Sequence, residues 1–198
     1  GQRVYRMMDM VKEILYETDD EKFLKTYNRI EKYEQISDRM EVEIADYLTR
    51  VLEGRLSAEG KNNIRVMLRA VSEIESVADS CNNIAKIIKR RNDAKSHFTD
   101  EQNHNIEHML ALTDAAIVHM NDILHRQTGT REDMALSYNM ENEINSYRNL
   151  LKNNNIDNID NKLYKYSDAI FYMDIISECE KLGDYVLNVV QAIVEKKL

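Results

Sequence analysis

Residues 72–83 have the sequence SEIESVADSCNN, and residues 177–188 have the sequence SECEKLGDYVLN. Both stretches follow the pattern Ser-Glu-x-Glu-x-x-x-Asp-x-x-x-Asn, and apolar positions agree as well, for example Val77 with Leu182. In each stretch the second Glu, the Asp and the Asn recur every four residues, which is the spacing of one helical face. The two stretches therefore predict two helices related by an internal duplication.

A second pair of stretches supports the duplication. Residues 37–47 have the sequence SDRMEVEIADY and residues 137–147 have SYNMENEINSY, so Ser, Met, Glu, Glu, Ile and Tyr recur at matching places. The offset is 100 residues in this pair and 105 in the first pair, a difference of 105 − 100 = 5 residues. We expect the asparagine-rich residues 153–158 to form a longer second loop that absorbs this difference.

The remaining sequence extends the pattern to six helices, three in each half. The chain has no proline to interrupt long helices. The first helix is predicted from an apolar stripe at Val4, Met8, Val11 and Leu15. Later helices are predicted to start at Thr18 with Glu21, at Ser57, at Thr99 with Gln102, and at Thr130 with Asp133. Turns are predicted at Gly54, at residues 92–98, at Gly129, and beyond a fifth helix that ends near Leu151. Core positions in the second and sixth helices are predicted to include Tyr47, Leu163, Tyr166 and Ile170.

The predicted fold class is therefore all-α, with two tandem three-helix bundles related by internal duplication. The polar segment between the third and fourth helices is the best candidate for a domain boundary. We place the first three-helix unit at residues 1–97 and the second at residues 98–198.

Composition narrows the classes of function. The formal net charge of −8 argues against nucleic-acid binding as the main task. Cys81 and Cys179 form no Cys-x-x-Cys motif, so we expect two buried small apolar residues in a reducing compartment. No apolar stretch approaches the roughly 20 residues that cross a bilayer, and no signal peptide is visible. Gly1 directly precedes helical sequence, and we expect the natural protein to extend further toward the N-terminus.

The repeated carboxylates are the residues that could carry chemistry. Glu75 and Asp79 are four residues apart, as are Glu180 and Asp184, so each pair lies on one helical face. Like charges at this spacing repel, and a partner must compensate them near the core. A divalent or trivalent cation (Fe, Mn, Mg or Ca) would do so, because carboxylate and amide oxygens are hard ligands. The preceding helix adds carboxylates that could complete the set of ligands around such a cation: Glu34, Asp38 and Glu41.

Neighbouring side chains offer an alternative compensation. With 27 Lys and Arg residues and 11 Tyr residues, ion pairs or hydrogen bonds from adjacent helices could satisfy the same carboxylates. The repetition of the acidic pair at equivalent places leaves both explanations open. The histidines are weaker candidates, since Glu101 and His104 form one Glu-x-x-His motif without a second copy. We predict that His104 and His108, which share a face, are solvated surface residues.

The two motif segments resemble the PhoU signature. The sequence from Glu73 to Ile88, EIESVADSCNNIAKII, is similar to the motif in which Glu and Asp four apart precede Asn-Ile-Ala. The sequence from Glu178 to Ile193, ECEKLGDYVLNVVQAI, is similar to its second copy in the Leu-Gly-Asp form. The resemblance spans nearly the whole chain. It implies duplicated three-helix bundles whose acidic motifs bind metal ions, often iron or another multinuclear cluster.

The resemblance also implies a set of ligands. These are Glu75, Asp79, Glu180 and Asp184, with Glu34 and Asp38 supporting the first site. Met134 and Tyr138 stand where the repeat offset places Glu34 and Asp38. The chain departs from the family pattern there, which predicts a thinner or empty second site.

The resemblance further implies a regulator of phosphate uptake and not an enzyme. PhoU-like units occur as free regulators and as cytoplasmic tails of Na/phosphate cotransporters, and the short front end favours the tail. The expected partner is a membrane phosphate transporter, at the inner face of the plasma membrane. Exposed seams between bundles favour a homodimer. A structural oligomerisation scaffold without metal is the main alternative, and a di-metal bundle enzyme has less support.

Overall fold

The structure, a computed structural model, describes residues 2–195 and consists of six α-helices. Their bounds are α1 Gln2–Tyr16, α2 Asp20–Leu52, α3 Ala58–Asp93, α4 Asp100–Arg126, α5 Arg131–Asp160 and α6 Tyr166–Glu195. No strand occurs within residues 2–195. The predicted all-α class with six helices is therefore confirmed, while the division into units 1–97 and 98–198 stays a prediction.

The two motif-bearing helices, α3 and α6, form the most extensive helix pair of the molecule. In the first half α1 and α2 flank α3, and in the second half α4 and α5 flank α6. One hydrophobic core runs through both halves, and Ile84 of α3 and Val189 of α6 are completely buried in it. Polar contacts add to this pairing, since Asn188 donates a hydrogen bond to Glu73 at 3.1 Å. The equivalent helices of the duplication thus lie together at the centre.

Most predicted helix starts are confirmed by their caps. Ser57 accepts a hydrogen bond from the Gly60 amide, and capping boxes form at Thr99 with Gln102 and at Thr130 with Asp133. The predicted start at Thr18 with Glu21 is wrong by one residue. Asp19 is the N-cap of α2 and accepts from the Lys22 amide at 2.9 Å. An aspartate cap is favourable because its carboxylate also faces the positive end of the helix dipole.

The asparagine-rich segment is helical, which corrects the prediction of a loop there. Helix α5 continues past Leu151 to Asp160. Leu151 and Asn155 are both buried, so packing against the core outweighs the poor helix propensity of asparagine. The turn comes later, where Lys162 has the left-handed φ of 60°. Helix α5 extends further past Tyr147 than α2 extends past the equivalent Tyr47, so the extra residues of the second half fall within a helix and not in a loop.

The predicted turn at Gly129 is confirmed, since the non-helical residues 127–130 include it, whereas four predicted core positions are wrong. The residue that ends α4 in the left-handed conformation is Gln127, with a φ of 53°, and not Gly129. Gly129 is required for packing instead, since a Cβ there would lie 2.5 Å from Cγ2 of Val194. The predicted core residues Tyr47, Leu163, Tyr166 and Ile170 are exposed, whereas the adjacent Leu48 and Ala169 are buried. The apolar stripes therefore drift around α2 and α6 near their ends, as expected for a period of 3.6 residues.

Both cysteines are free and completely buried. Burial raises the pKa of the Cys81 thiol to about 12 and raises that of Cys179 as well. A thiol with a raised pKa forms little thiolate and is therefore unreactive. The prediction that Cys81 and Cys179 act as small apolar core residues is confirmed.

Candidate metal centre

Five carboxylates of α2 and α3 lie within range of one another's charge. This group, the first acidic cluster, consists of Glu34, Asp38 and Glu41 on α2 and of Glu75 and Asp79 on α3. Asp38 is exposed and the other four are half-buried. Asn83 continues the α3 face and donates a hydrogen bond to Asp79 at 3.3 Å. The sequence predicts four of these residues as ligands and names Glu41 as a further carboxylate that could complete the site, and all five lie within range of one another's charge.

The carboxylates of the first acidic cluster repel one another and are partly removed from water. Burial, together with the neighbouring carboxylates, Asp79 first, raises the pKa of Glu75 to about 7. Burial also raises the pKa of Glu34, although the positive charge of Lys86 opposes this effect. Carboxyl groups with raised pKa values are those whose charged form lacks compensation. A cation bound here would therefore stabilise the charged form of the cluster.

Neighbouring side chains supply little positive charge to the first acidic cluster. Among residues 2–195, no Lys, Arg or His side chain forms a salt bridge with any carboxylate of the first acidic cluster. A cavity of about 400 Å³ opens beside Glu41 and Glu75 and is bounded on the other side by the start of α1, including Arg3 and Val4. An ion can reach the carboxylates through this space.

The chemistry of the donor set fits a hard cation, but the side chains do not converge on one point. Within residues 2–195, no group of three or more His, Cys, Asp or Glu side chains is arranged to hold a metal ion. Up to five carboxylate groups from two helices suit Mg, Mn, Ca or Fe.

The raised pKa of Glu75 gives a prediction for the metal-free protein. A carboxyl group whose pKa is raised on folding lowers stability above its unfolded pKa, and this penalty disappears as the pH falls. Glu75→Gln should therefore increase the free energy of unfolding by about 1 kcal/mol near pH 8, after allowance for solvent screening. The gain should shrink as the pH is lowered through 7 toward 4.5, the folded and ordinary pKa values. Urea unfolding with a chelator present at both ends of this range would measure it.

Glu43 provides the matched control for this prediction. It lies on α2 two residues from Glu41, is exposed, and carries the same charge. Glu43→Gln should change the free energy of unfolding by less than about 0.5 kcal/mol at either pH, as is usual for surface substitutions. Equal effects of the two substitutions would show that Glu75 experiences no special repulsion.

The second half contains a related group with a different balance of charge. This second acidic cluster consists of Glu141 and Arg148 on α5 and of Glu180 and Asp184 on α6. Arg148 Nη2 donates to Glu180 Oε1 at 2.7 Å. Burial, followed by the carboxylates of Glu180 and Glu141, raises the pKa of Asp184 to about 6, although the positive charge of Arg148 opposes this rise. Compensation by an ion pair, the alternative left open by the sequence, thus occurs in this half.

Two members of the second acidic cluster were missed from the sequence, although the repeat contained a signal for both. Glu141 aligns with Glu41 at the offset of 100 residues, and it is one of the matching positions of the duplication. Arg148 aligns with Leu48, immediately after the matched stretch. Comparison of the two copies beyond the identical residues would have identified this arginine as a local difference in charge.

The histidines take no part in either cluster. His104 and His108 are exposed on α4, as predicted. The ring of His108 packs edge-on against Tyr147, with the ring centroids 4.7 Å apart. This contact gives His108 a packing role on the surface of the bundle.

The fold and the paired acidic clusters define a class of protein: a duplicated three-helix bundle with acidic residues along the third helix of each unit. Residues 1–88 match the family model of the PhoU domain. The resemblance drawn from the motif of α3 is thereby confirmed for this part of the chain.

Solved structures agree with this assignment at the level of the fold. The crystal structure of PhoU from Pseudomonas aeruginosa is similar over 100% of this chain and 91% of its own length, with a TM-score of 0.87 and 12% sequence identity. The phosphate transport system regulatory protein PhoU from Streptococcus pneumoniae covers 99% of this chain and 92% of its own, with a TM-score of 0.73 and 16% identity. Among curated protein sequences, none matches this chain. No helix within residues 2–195 is long and apolar enough to cross a bilayer.

Proposed function

We propose that the protein regulates phosphate uptake by a membrane phosphate transporter, and that a metal ion bound at the first acidic cluster takes part in this regulation. The observation that carries the proposal is the PhoU domain match together with the PhoU fold over the whole chain. The Streptococcus pneumoniae protein of the same fold is a phosphate transport system regulatory protein. The task is regulatory and involves no turnover.

The proposed metal would be held by the carboxylates that lack a cationic partner. Glu75 and Asp79 on α3 would supply ligands from one helix, and Glu34, Asp38 and Glu41 would supply them from α2. A bound cation would neutralise the repulsion among these groups and join α2 to α3. The cluster would then have two states, with and without metal, that differ in charge and in the stiffness of this helix pair.

The proposed setting is the cytoplasmic face of the plasma membrane. There the chain would act as a free regulator or as the cytoplasmic part of a Na/phosphate cotransporter, and contacts between helix faces would relay its state to the transporter. A homodimer is compatible with either setting. The partner would be recognised through a helix surface.

Phosphate uptake by cells tests the function. Removal of the coding sequence from the source organism should change the rate of uptake of labelled phosphate at a fixed external concentration. Reintroduced wild-type protein should restore the rate, and a variant with Glu75→Gln and Asp79→Asn should not. A variant with Glu43→Gln and Glu59→Gln loses the same number of charges at exposed positions and should restore it. Uptake that is the same with and without the gene would contradict the proposal.

A further inference from the structure

Arg148 is the feature that distinguishes the second acidic cluster from the first. Its guanidinium lies 2.7 Å from the carboxylate of Glu180, and both side chains are largely buried, with 27% and 17% of their surfaces exposed. The positive charge of Arg148 also acts on Asp184, one turn further along α6. Arg148 thus compensates Glu180 directly and offsets only part of the repulsion on Asp184.

The duplication shows that this arginine replaces an apolar residue. At the offset of 100 residues, the position of Arg148 is occupied in the first half by Leu48, which is buried. The same offset pairs Glu34 with Met134 and Asp38 with Tyr138. Compared with the first half, the second half has therefore lost two carboxylates and gained one permanent positive charge.

A metal ion does not fit the second acidic cluster while Arg148 is present. Arginine stays protonated at any pH that a folded protein experiences, so its charge cannot be removed to admit a cation. An ion at Glu180 would have to displace the guanidinium from a short, charge-assisted hydrogen bond and leave it half-buried without a partner. The ion would also be repelled by the same group at close range.

We propose that Arg148 is the built-in cation of the second acidic cluster and that it confines metal binding by this chain to the first cluster. The confinement rests on the proposed function, since it assumes that the first cluster binds metal. The exclusion of metal from the second cluster is independent of that assumption. The residue that decides between the two kinds of compensation is the one at the position of Leu48 and Arg148.

The test isolates the second cluster in a protein whose first cluster is disabled by Glu75→Gln and Asp79→Asn. In this background, Mn²⁺ binding to metal-stripped protein is measured by calorimetry and by the shift in the thermal midpoint. With Arg148 present we expect no Mn²⁺-dependent shift. Arg148→Leu, which restores the residue of the first half, should bind about one Mn²⁺ per chain at least tenfold more tightly. Further substitution by Glu180→Gln and Asp184→Asn should abolish the gain.

A second arginine supplies the matched control. Arg126 forms a 2.8 Å ion pair with Asp133 away from both clusters, so Arg126→Leu removes the same charge and should produce no gain in Mn²⁺ binding. Arg148→Gln is the alternative variant if leucine prevents folding. Folding of either variant only when Mn²⁺ is supplied would support the proposal, because the ion then replaces the guanidinium.

Three results would overturn the proposal. They are Mn²⁺ binding at the second cluster with Arg148 intact, no gain on its removal, and failure of both Arg148 variants to fold even with Mn²⁺. A failure of the proposed function would be recognised separately, because wild-type protein would then bind Mn²⁺ no better than the Glu75→Gln, Asp79→Asn background.

Discussion

Replacing Glu75 by Gln together with Asp79 by Asn should abolish tight metal binding, with a loss of affinity for Mn²⁺ of about 100-fold or more. Removal of outer-shell partners alone costs 10- to 100-fold in metal sites, and these residues would be direct ligands. Both lie on one face of α3, so the double variant would keep only the carboxylates of α2. The metal content of purified protein and calorimetric titration of metal-stripped protein would measure the effect.

The exposed pair Glu43 and Glu59 gives the control for this experiment. Their replacement by Gln alters the net charge of the chain equally but leaves the first acidic cluster intact. Mn²⁺ affinity should stay within about twofold of wild type, because charges on solvent-exposed side chains interact only weakly with their neighbours. If the Glu75, Asp79 variant bound metal as well as this control, the cluster would not be the site, and the PhoU fold would stand without it.

Gly183→Val should lower the free energy of unfolding by roughly 2–3 kcal/mol, which is typical of overpacking a close helix contact. Gly183 is buried on α6, and a Cβ added there would lie 3.0 Å from Cδ1 and 3.5 Å from Cγ2 of Ile144 on α5. A single methyl group could be accommodated by a small movement of the Ile144 side chain. The two γ-methyl groups of valine could not, because Ile144 is itself completely buried.

Gly60 is the matched position for this second prediction. It also lies in a helix, but a Cβ there would meet only ordinary contacts, the nearest being Ser57 Oγ at 3.4 Å. Gly60→Val should therefore change the free energy of unfolding by about 1 kcal/mol or less. Urea unfolding of both variants makes the comparison. Equal free energies of unfolding for the two variants would mean that α5 can move away from α6 without loss of stability.

The six helices could be predicted from the sequence because local signals and the repeat agree. The Thr99 and Thr130 capping boxes lie where the sequence predicts them, and the motifs of α3 and α6 identify the two central helices. The end of α5 could not be predicted, since it depends on the burial of Asn155, which is a tertiary effect. The exposure of Tyr47 has a similar cause, because burial of Leu48 decides which side of α2 faces the core.

The candidate site could be predicted in part. The spacing of Glu75 and Asp79 identified one face of α3, and the same spacing on α2 supplied Glu34 and Asp38. Met134 and Tyr138 predicted a second site with fewer carboxylates, but the ion pair within it could not be predicted from spacing. Arg148 is 32 residues from Glu180 in the sequence, so only the packing of α5 against α6 brings their charges together. Identical acidic patterns can therefore acquire opposite kinds of compensation from their neighbours.

Because both cysteines are buried, thiol reagents should not label the folded wild-type chain. Cys81 and Cys179 are inaccessible to maleimide reagents in the folded protein, so no native side chain needs to be removed from the core. A cysteine introduced at an exposed position, for example in place of Tyr47 on α2, would then be the single position that the probe labels. Pairs of spin labels on α2 and on α5 would then report how the distance between the two halves changes as cations are added.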